Sequence, residues 1–446
     1  MVARLAVLTV VALAALQATY ADRGLYADGG YYLWRILETH TFYLFPSRAL
    51  AQAVTQIPVI VAIRVGVDNV AILARLQSLG TAALPMMIWA LALFVLLKHR
   101  LFWPFVAVFA VTFLNSGFFS VGEYNFASAL VALSAAILLS GTCAPWACAG
   151  LLISAMLLPL SYETMAFLGV LLAVLAFWRL RTVVANQQYH RIVVITLLCA
   201  IILYVIAAAL NVWWTVSPPY PTSLAPVTLS QWIWPIFNDR QLVLSGAIAT
   251  LYLLGQSFGS YRVQAGATAL LIGATTVLLD PSFWNAPWMQ FASRGVTGVA
   301  LCALLIITTL GQVLNERGTA SGHVPVRHFG LYYLVPSALL LLQLLPFSLH
   351  TAGWRGWLAS FDRAVVSSHG LLTNSATVEH FQDTSLYVWP WTDPILSVVL
   401  HTSTGQAIIL SPGQGLEHHS SIPSPVPAPF RWNGVLFSSC QRIPPA

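Results

Sequence analysis

ADRGLYADGGYYLWRILETHTFYLFPSRALAQ, residues 21–52, and RVGVDNVAILARLQSLG, residues 64–80, carry the reading on which the fold of this chain turns. Between Ala21 and Gly80 stand Asp22, Asp28, Glu38 and Asp68 among Arg23, Arg35, Arg48, Arg64 and Arg75. An apolar segment precedes this stretch and many more follow it, so charge concentrates in the first loop of a chain that otherwise has little.

Working outward, the composition says what surrounds that loop. Of 446 residues, 58% are hydrophobic and 8% charged, and the mean hydropathy is +0.78. Soluble domains carry about 25% charged residues, so the composition describes a polytopic membrane protein. A hydrocarbon core of about 30 Å takes about 20 apolar residues in a helix. Eleven segments meet or approach that length: 3–20, 81–98, 102–119, 126–142, 146–160, 164–178, 192–210, 241–258, 264–280, 295–314 and 328–346. The expected fold is therefore an all-α transmembrane bundle over 1–346, with the loop 21–80 holding juxtamembrane helices. The first segment, with Arg4 ahead of it and Thr19-Tyr20-Ala21 at its end, also reads as a signal peptide. Either reading exports the loop that follows.

Lys and Arg set the orientation. With the N-terminus inside, Lys98, Arg100, Arg179, Arg181, Arg191, Arg262, Arg317 and Arg327 fall in cytoplasmic turns. Of the 14 acidic residues, Glu316 alone is then cytoplasmic. Asp and Glu contribute little to topology, so this sorting points to a polar working face outside. The expected location is the inner, cytoplasmic membrane. The net charge of +6 follows from the same rule and gives no reason to expect a nucleic-acid partner.

Within the loop, Tyr31, Tyr32, Trp34, Ile36 and Leu37 suit one amphipathic helix on the membrane surface, and Val59–Leu79 suits a second. Two short external turns, 115–125 and 160–164, hold one Glu each, and 211–240 and 281–294 are rich in Trp and Pro. After Pro346 the hydropathy falls. Residues 347–446 read as a small exported domain of mixed or β-rich structure, with short strands at Ser385–Trp391 and Gln406–Leu410 and a polyproline-like SSIPSPVPAPF at 420–430.

Ionisable groups at a membrane are costly and mark function by default. Asp28 sits in YADGGYYLW, where two glycines let the backbone approach a ligand. Its carboxylate suits a general base, and equally a cap for the following helix. Glu123 and Glu163 each stand in a short turn with aromatic neighbours. They suit orientation of an acceptor, support of Asp28, a divalent cation, or pairing with an Arg of the first loop. The three carboxylates are expected to face one external cavity. Arg294, at the start of the tenth segment, is placed to grip a phosphate near the headgroups, with Arg35 and Arg64 as weaker candidates; lipid contacts or ion pairs are the plain alternative for each. Cys143, Cys148, Cys199, Cys302 and Cys440 show no metal or disulfide spacing. No P-loop or HExxH motif is present, which argues against an ATP-driven pump.

This layout resembles the GT-C superfamily of integral-membrane glycosyltransferases: a first external loop with two juxtamembrane helices and an acidic residue just after the first helix, then a multi-helix bundle and an exported C-terminal domain. Asp28 in ADGGYY stands at the matching place, without the Asp-Glu dipeptide of several branches and without a WWDYG-type motif. The resemblance implies transfer of a sugar from a polyprenyl-phosphate donor to a glycan or lipid-linked acceptor at the external face. It implies Asp28 as general base, Glu123 or Glu163 assisting and Arg294 near the donor phosphate. Two other classes stay open. An O-antigen polymerase or ligase usually carries its charged loop late in the chain, and a secondary transporter should show half-repeats and charges at helix midpoints.

Overall fold

The computed structural model describes residues 1–114, 122–185, 191–216, 240–258, 260–279, 289–317, 329–367, 371–373, 387, 392–400 and 408–410. The helices are α1 Val2–Tyr20, α2 Asp28–Thr39, α3 Ala49–Arg64, α4 Val70–Ser78, α5 Leu84–Val95, α6 Phe102–Phe109, α7 Gly122–Ser140 and α8 Pro145–Leu157. After them come α9 Met165–Ala185, α10 Arg191–Val216, α11 Arg240–Ser257, α12 Tyr261–Leu278, α13 Met289–Arg317, α14 Phe329–Ser367 and α15 Asp393–Leu400. Two three-residue strands, β1 Leu371–Thr373 and β2 Ile408–Leu410, pair in parallel with Leu371 opposite Ile408. The expected strand at Gln406–Leu410 is present over its last three residues. The polyproline-like stretch 420–430 and, apart from Tyr387, the expected strand Ser385–Trp391 lie outside the described residues.

Among the described residues six helical stretches are long and apolar enough to cross a membrane: Val2–Tyr20, Val70–Val95, Gly122–Ser140, Met165–Ala185, Arg191–Trp214 and Tyr332–Ala364. The five other expected segments coincide with shorter apolar helices among the described residues.

The chain divides into two compact units. The first holds Met1–Ala14, Phe45–Ala51 and Pro85–Phe347. At its centre is α7, whose window is 94% buried. Its sequence, GEYNFASALVALSAAILLS, is apolar or small on every face, as a helix surrounded by others must be, and its Ala and Ser residues let neighbours approach closely. α8, α9 and α13 pack on it, α10 lies along α9, and α11 pairs with α12 and α13. On α10 the split is clean. Tyr204, Ala207 and Asn211 are buried, while Ile195, Leu198, Ile202 and Val205 are exposed, an apolar stripe suited to lipid.

The second unit holds Ala15–Leu44, Gln52–Leu84 and Ser348–Ala446. The division between the units after Phe347 falls inside α14, which runs through it without a break, and the residues beyond share their unit with Ala15–Leu44 and Gln52–Leu84 of the first loop. α2 is amphipathic as expected. Gly29, Gly30, Leu33, Ile36 and Leu37 are buried, and the helix packs on α4, α15 and the turn Arg23–Leu25. Burying each large apolar side chain contributes about 1.5–3 kcal/mol before entropy is charged.

The stretch Val59–Leu79, expected to contain a second surface helix, holds the end of α3 and the whole of α4. α3 ends at Arg64, Gly66 takes φ +88°, and Asn69 caps α4 by accepting from the Ala71 N–H at 3.0 Å. From Val70 the chain runs through a wide turn at Leu79–Ala83 straight into α5. The loop therefore closes at Asn69, because a left-handed glycine and an N-cap stop and restart the helix there. Two other glycines are fixed by contact. A β-carbon on Gly80 would run into the Thr55 carbonyl oxygen, and one on Gly29 into that of Gly24. Gly29→Ala is expected to cost about 1–3 kcal/mol by forcing backbone apart. Gly246→Ala, with open space around its β-carbon, should be neutral or stabilising by about 0.5–1 kcal/mol. Thermal unfolding of the two variants in detergent compares them directly.

Candidate active site

The first loop of the second unit builds a polar, aromatic corner at the start of α2. Ala27, just before the helix, is held at φ 53°, ψ −126°, a conformation costing about 1–3 kcal/mol in a non-glycine residue. Asp28 is therefore the first helical residue and not the cap anticipated as its structural alternative. It is half-buried, and a carboxylate there is favoured by the helix dipole.

One turn on, Tyr31 and Tyr32 meet Tyr43 from the following segment, and Trp34 lies against Tyr31. The Tyr31 and Tyr43 ring centroids are 5.3 Å apart edge to face, and Tyr32 stacks on Tyr43 at 5.5 Å. The Arg35 guanidinium lies 5.6 Å from the Trp34 ring and 5.9 Å from that of Tyr43, and it pairs with Glu38. Gln56 fixes the segment: the Tyr43 N–H donates to its Oε1 at 2.9 Å, and its Nε2 donates to the Tyr43 carbonyl at 2.8 Å. Burial pushes the Tyr43 hydroxyl above its ordinary pKa, the Tyr31 hydroxyl and Asp28 add to this, and Arg35 opposes it. Tyr43 thus stays a hydrogen-bond donor at neutral pH. Half-exposed rings beside a carboxylate and a guanidinium form a surface that joins apolar faces to polar groups, the combination typical of small-molecule sites.

Six residues before Asp28 in the chain stands a carboxylate that sequence reasoning passed over. Asp22, two residues past α1, is 2% exposed and left-handed at φ 53°. Its Oδ1 has no hydrogen-bond partner among the described residues. Burial raises its pKa to about 7 against the pull of Arg75 and Arg355. The Trp354 indole N–H donates to its carbonyl at 3.2 Å, and the Gly24 N–H donates to Ser78 Oγ at 2.8 Å. Arg23 is also buried, its guanidinium 5.2 Å from the Tyr26 ring, and burial lowers its pKa to about 9. Gln77 is fully buried with neither amide atom hydrogen-bonded among the described residues.

The other predicted residues are carried by other elements. Arg64 is exposed in the last turn of α3, a position favourable to a cation. Arg294 lies on α13, and its side chain is outside the described residues. Glu123 and Glu163 belong to the first unit. Glu123 is buried in the first turn of α7. Glu163 has the Arg partner from the first loop that was anticipated as its alternative: Arg48 places both Nε and Nη2 3.0 Å from Oε1. Arg48 also lies 4.5 Å from the Tyr162 ring, which meets Tyr124 edge to face at 4.7 Å. The Leu50 N–H donates to the Leu160 carbonyl at 3.0 Å. The pair therefore pins Phe45–Ala51 to the 158–164 turn. Both side chains are 19% exposed, between a surface pair at about 0–1 kcal/mol and a fully buried one at about 3–5 kcal/mol when broken. Arg48→Gln or Glu163→Gln is expected to cost about 1–3 kcal/mol, with the double variant costing less than the sum, read from a double-mutant cycle of thermal unfolding.

Among the described residues no three His, Cys, Asp or Glu side chains gather as metal ligands. Comparison with known protein families, curated proteins and solved structures found no match to this chain.

Proposed function

We propose that this chain is a membrane glycosyltransferase of GT-C type, moving a sugar from a polyprenyl-phosphate donor to a glycan or lipid-linked acceptor at the external membrane face. The observation that supports this reading best is the corner at the start of α2, where Asp28, Tyr31, Arg35 and Tyr43 interact a few residues after the first apolar helix.

In this reading Asp28 accepts the proton of an acceptor hydroxyl as its oxygen attacks the anomeric carbon. The bond to the donor phosphate breaks, and polyprenyl phosphate leaves carrying the electron pair. The rings of Tyr31, Tyr32 and Tyr43 hold one sugar face, and the protonated Tyr43 hydroxyl and Arg35 bond its hydroxyls. Arg294 is assigned to the donor phosphate by the GT-C resemblance. The membrane is the inner one, with the N-terminus cytoplasmic and the working face outside. Membrane lipids are the surrounding partners.

The test is transfer from a panel of radiolabelled polyprenyl-phosphate sugars to membrane-extracted acceptors by the purified chain in nanodiscs. Transfer from one donor supports the reading. No transfer from any donor, with polymerisation of lipid-linked repeats or solute uptake in its place, would overturn it.

A further inference from the structure

The first unit contains a cavity of about 50 Å³ lined by Arg100, Gln256, Ser257, Thr308 and Tyr332, with Leu101 and Pro104 on its apolar side. A single water needs about 10–15 Å³ on this scale, so the space takes a few waters or one tetrahedral oxyanion. Here α11 supplies Gln256 and Ser257, and α13 supplies Thr308.

Three observations give the ligand its sign. The Gln256 amide nitrogen is buried with no hydrogen-bond partner among the described residues. Arg100 takes part in neither the Arg35–Glu38 nor the Arg48–Glu163 ion pair, and its guanidinium brings positive charge to the cavity wall. A second guanidinium stands nearby, since Arg4 is fixed by donating to the Leu97 and His99 carbonyls, and Arg4 and Arg100 both act on Tyr332 and His99. The Tyr332 hydroxyl donates to the Arg100 carbonyl and so seats the residue. The local sequence GQSFG, residues 255–259, matches the spacing of a hydrolase nucleophile elbow, but Ser257 ends a helix and no strand leads into it, so an elbow's geometry is lacking.

We propose that this cavity binds a phosphate group, the Arg100 fork taking two of its oxygens and the Gln256 amide a third, with Arg4 adding positive field. The group comes from an anionic phospholipid headgroup or from a free phosphate-bearing solute, and guanidinium geometry suits both. This is independent of the glycosyl-transfer reading and would survive its failure.

The full chain is reconstituted in nanodiscs of phosphatidylcholine with and without phosphatidylglycerol. Lipid retained through native mass spectrometry is counted, and the detergent-solubilised protein is separately titrated with inorganic phosphate in thermal unfolding. Retention of phosphatidylglycerol that falls about tenfold or more in Arg100→Gln, as expected for loss of a charge-assisted contact, and several-fold in Gln256→Leu supports a lipid source. A rise in Tm with inorganic phosphate in the wild type and not in Arg100→Gln supports a free one. Arg181→Gln removes an exposed arginine outside the cavity and should change neither readout. Equal retention by wild type and both cavity variants with no phosphate shift overturns the proposal, as does an equal loss in Arg181→Gln.

Discussion

Asp28→Asn is expected to lower sugar transfer by about 10²–10⁴-fold, the range for losing a general base, while the protein stays folded and retains its donor. The substitution is nearly isosteric and keeps the first position of α2, so Tyr31, Tyr32 and Tyr43 keep their mutual contacts. What it removes is the capacity to take a proton, which raises the barrier by about 3–5.5 kcal/mol. The structural cost is small, because losing a charge at a helix N-terminus is worth about 0.3–1 kcal/mol. Glu38→Gln on the same helix breaks the pair with Arg35 and should leave turnover within a few-fold. Initial rates at saturating acceptor, with donor binding measured separately, distinguish the two. Undiminished transfer by Asp28→Asn would remove this carboxylate from the mechanism and leave Asp22, the other acidic residue close after α1, as the base to test.

Asp22→Asn carries the second large expectation, in stability. The folded protein holds this group near 7 against an ordinary value of 3.8, because burial disfavours the charged form more than Arg75 and Arg355 favour it. The native state therefore binds a proton that the unfolded chain has released. The stability this contributes is complete below about pH 4 and is lost as pH rises through about 7, amounting to at most about 4 kcal/mol. The asparagine variant has no such proton to lose. Its advantage over wild type should be slight near pH 4 and grow steadily toward pH 8, read as Tm against pH in detergent. A wild type that gained on the variant as pH rose would mean that Asp22 is ionised and paired with Arg75 or Arg355.

Much of this architecture was legible one segment at a time. The length of the apolar runs located the helices of the bundle, since a span must satisfy its own backbone and bury or expose apolar faces along 20 residues. The alternation of aromatic and aliphatic residues over 31–37 was enough to place α2 and its two faces. The break between α3 and α4 was less visible. Gly66 and Asn69 are ordinary stop and start signals, but the apolar residues on either side read as one run.

Burial and partnership belong to the tertiary structure. Asp22 reads in sequence as one more charge of a polar loop. It is buried because Trp354, more than 300 residues away, closes over its backbone, and only such packing lifts a carboxyl toward 7. Glu163 and Arg48 are likewise two isolated charges until Phe45–Ala51 docks on the turn after α8. The sequence by itself determined where apolar length permits helices and which residues carry charge, because those are local properties of the chain. Which charges are buried, which are paired and which lean on an aromatic ring depends on contacts between distant segments, and those only the fold decided.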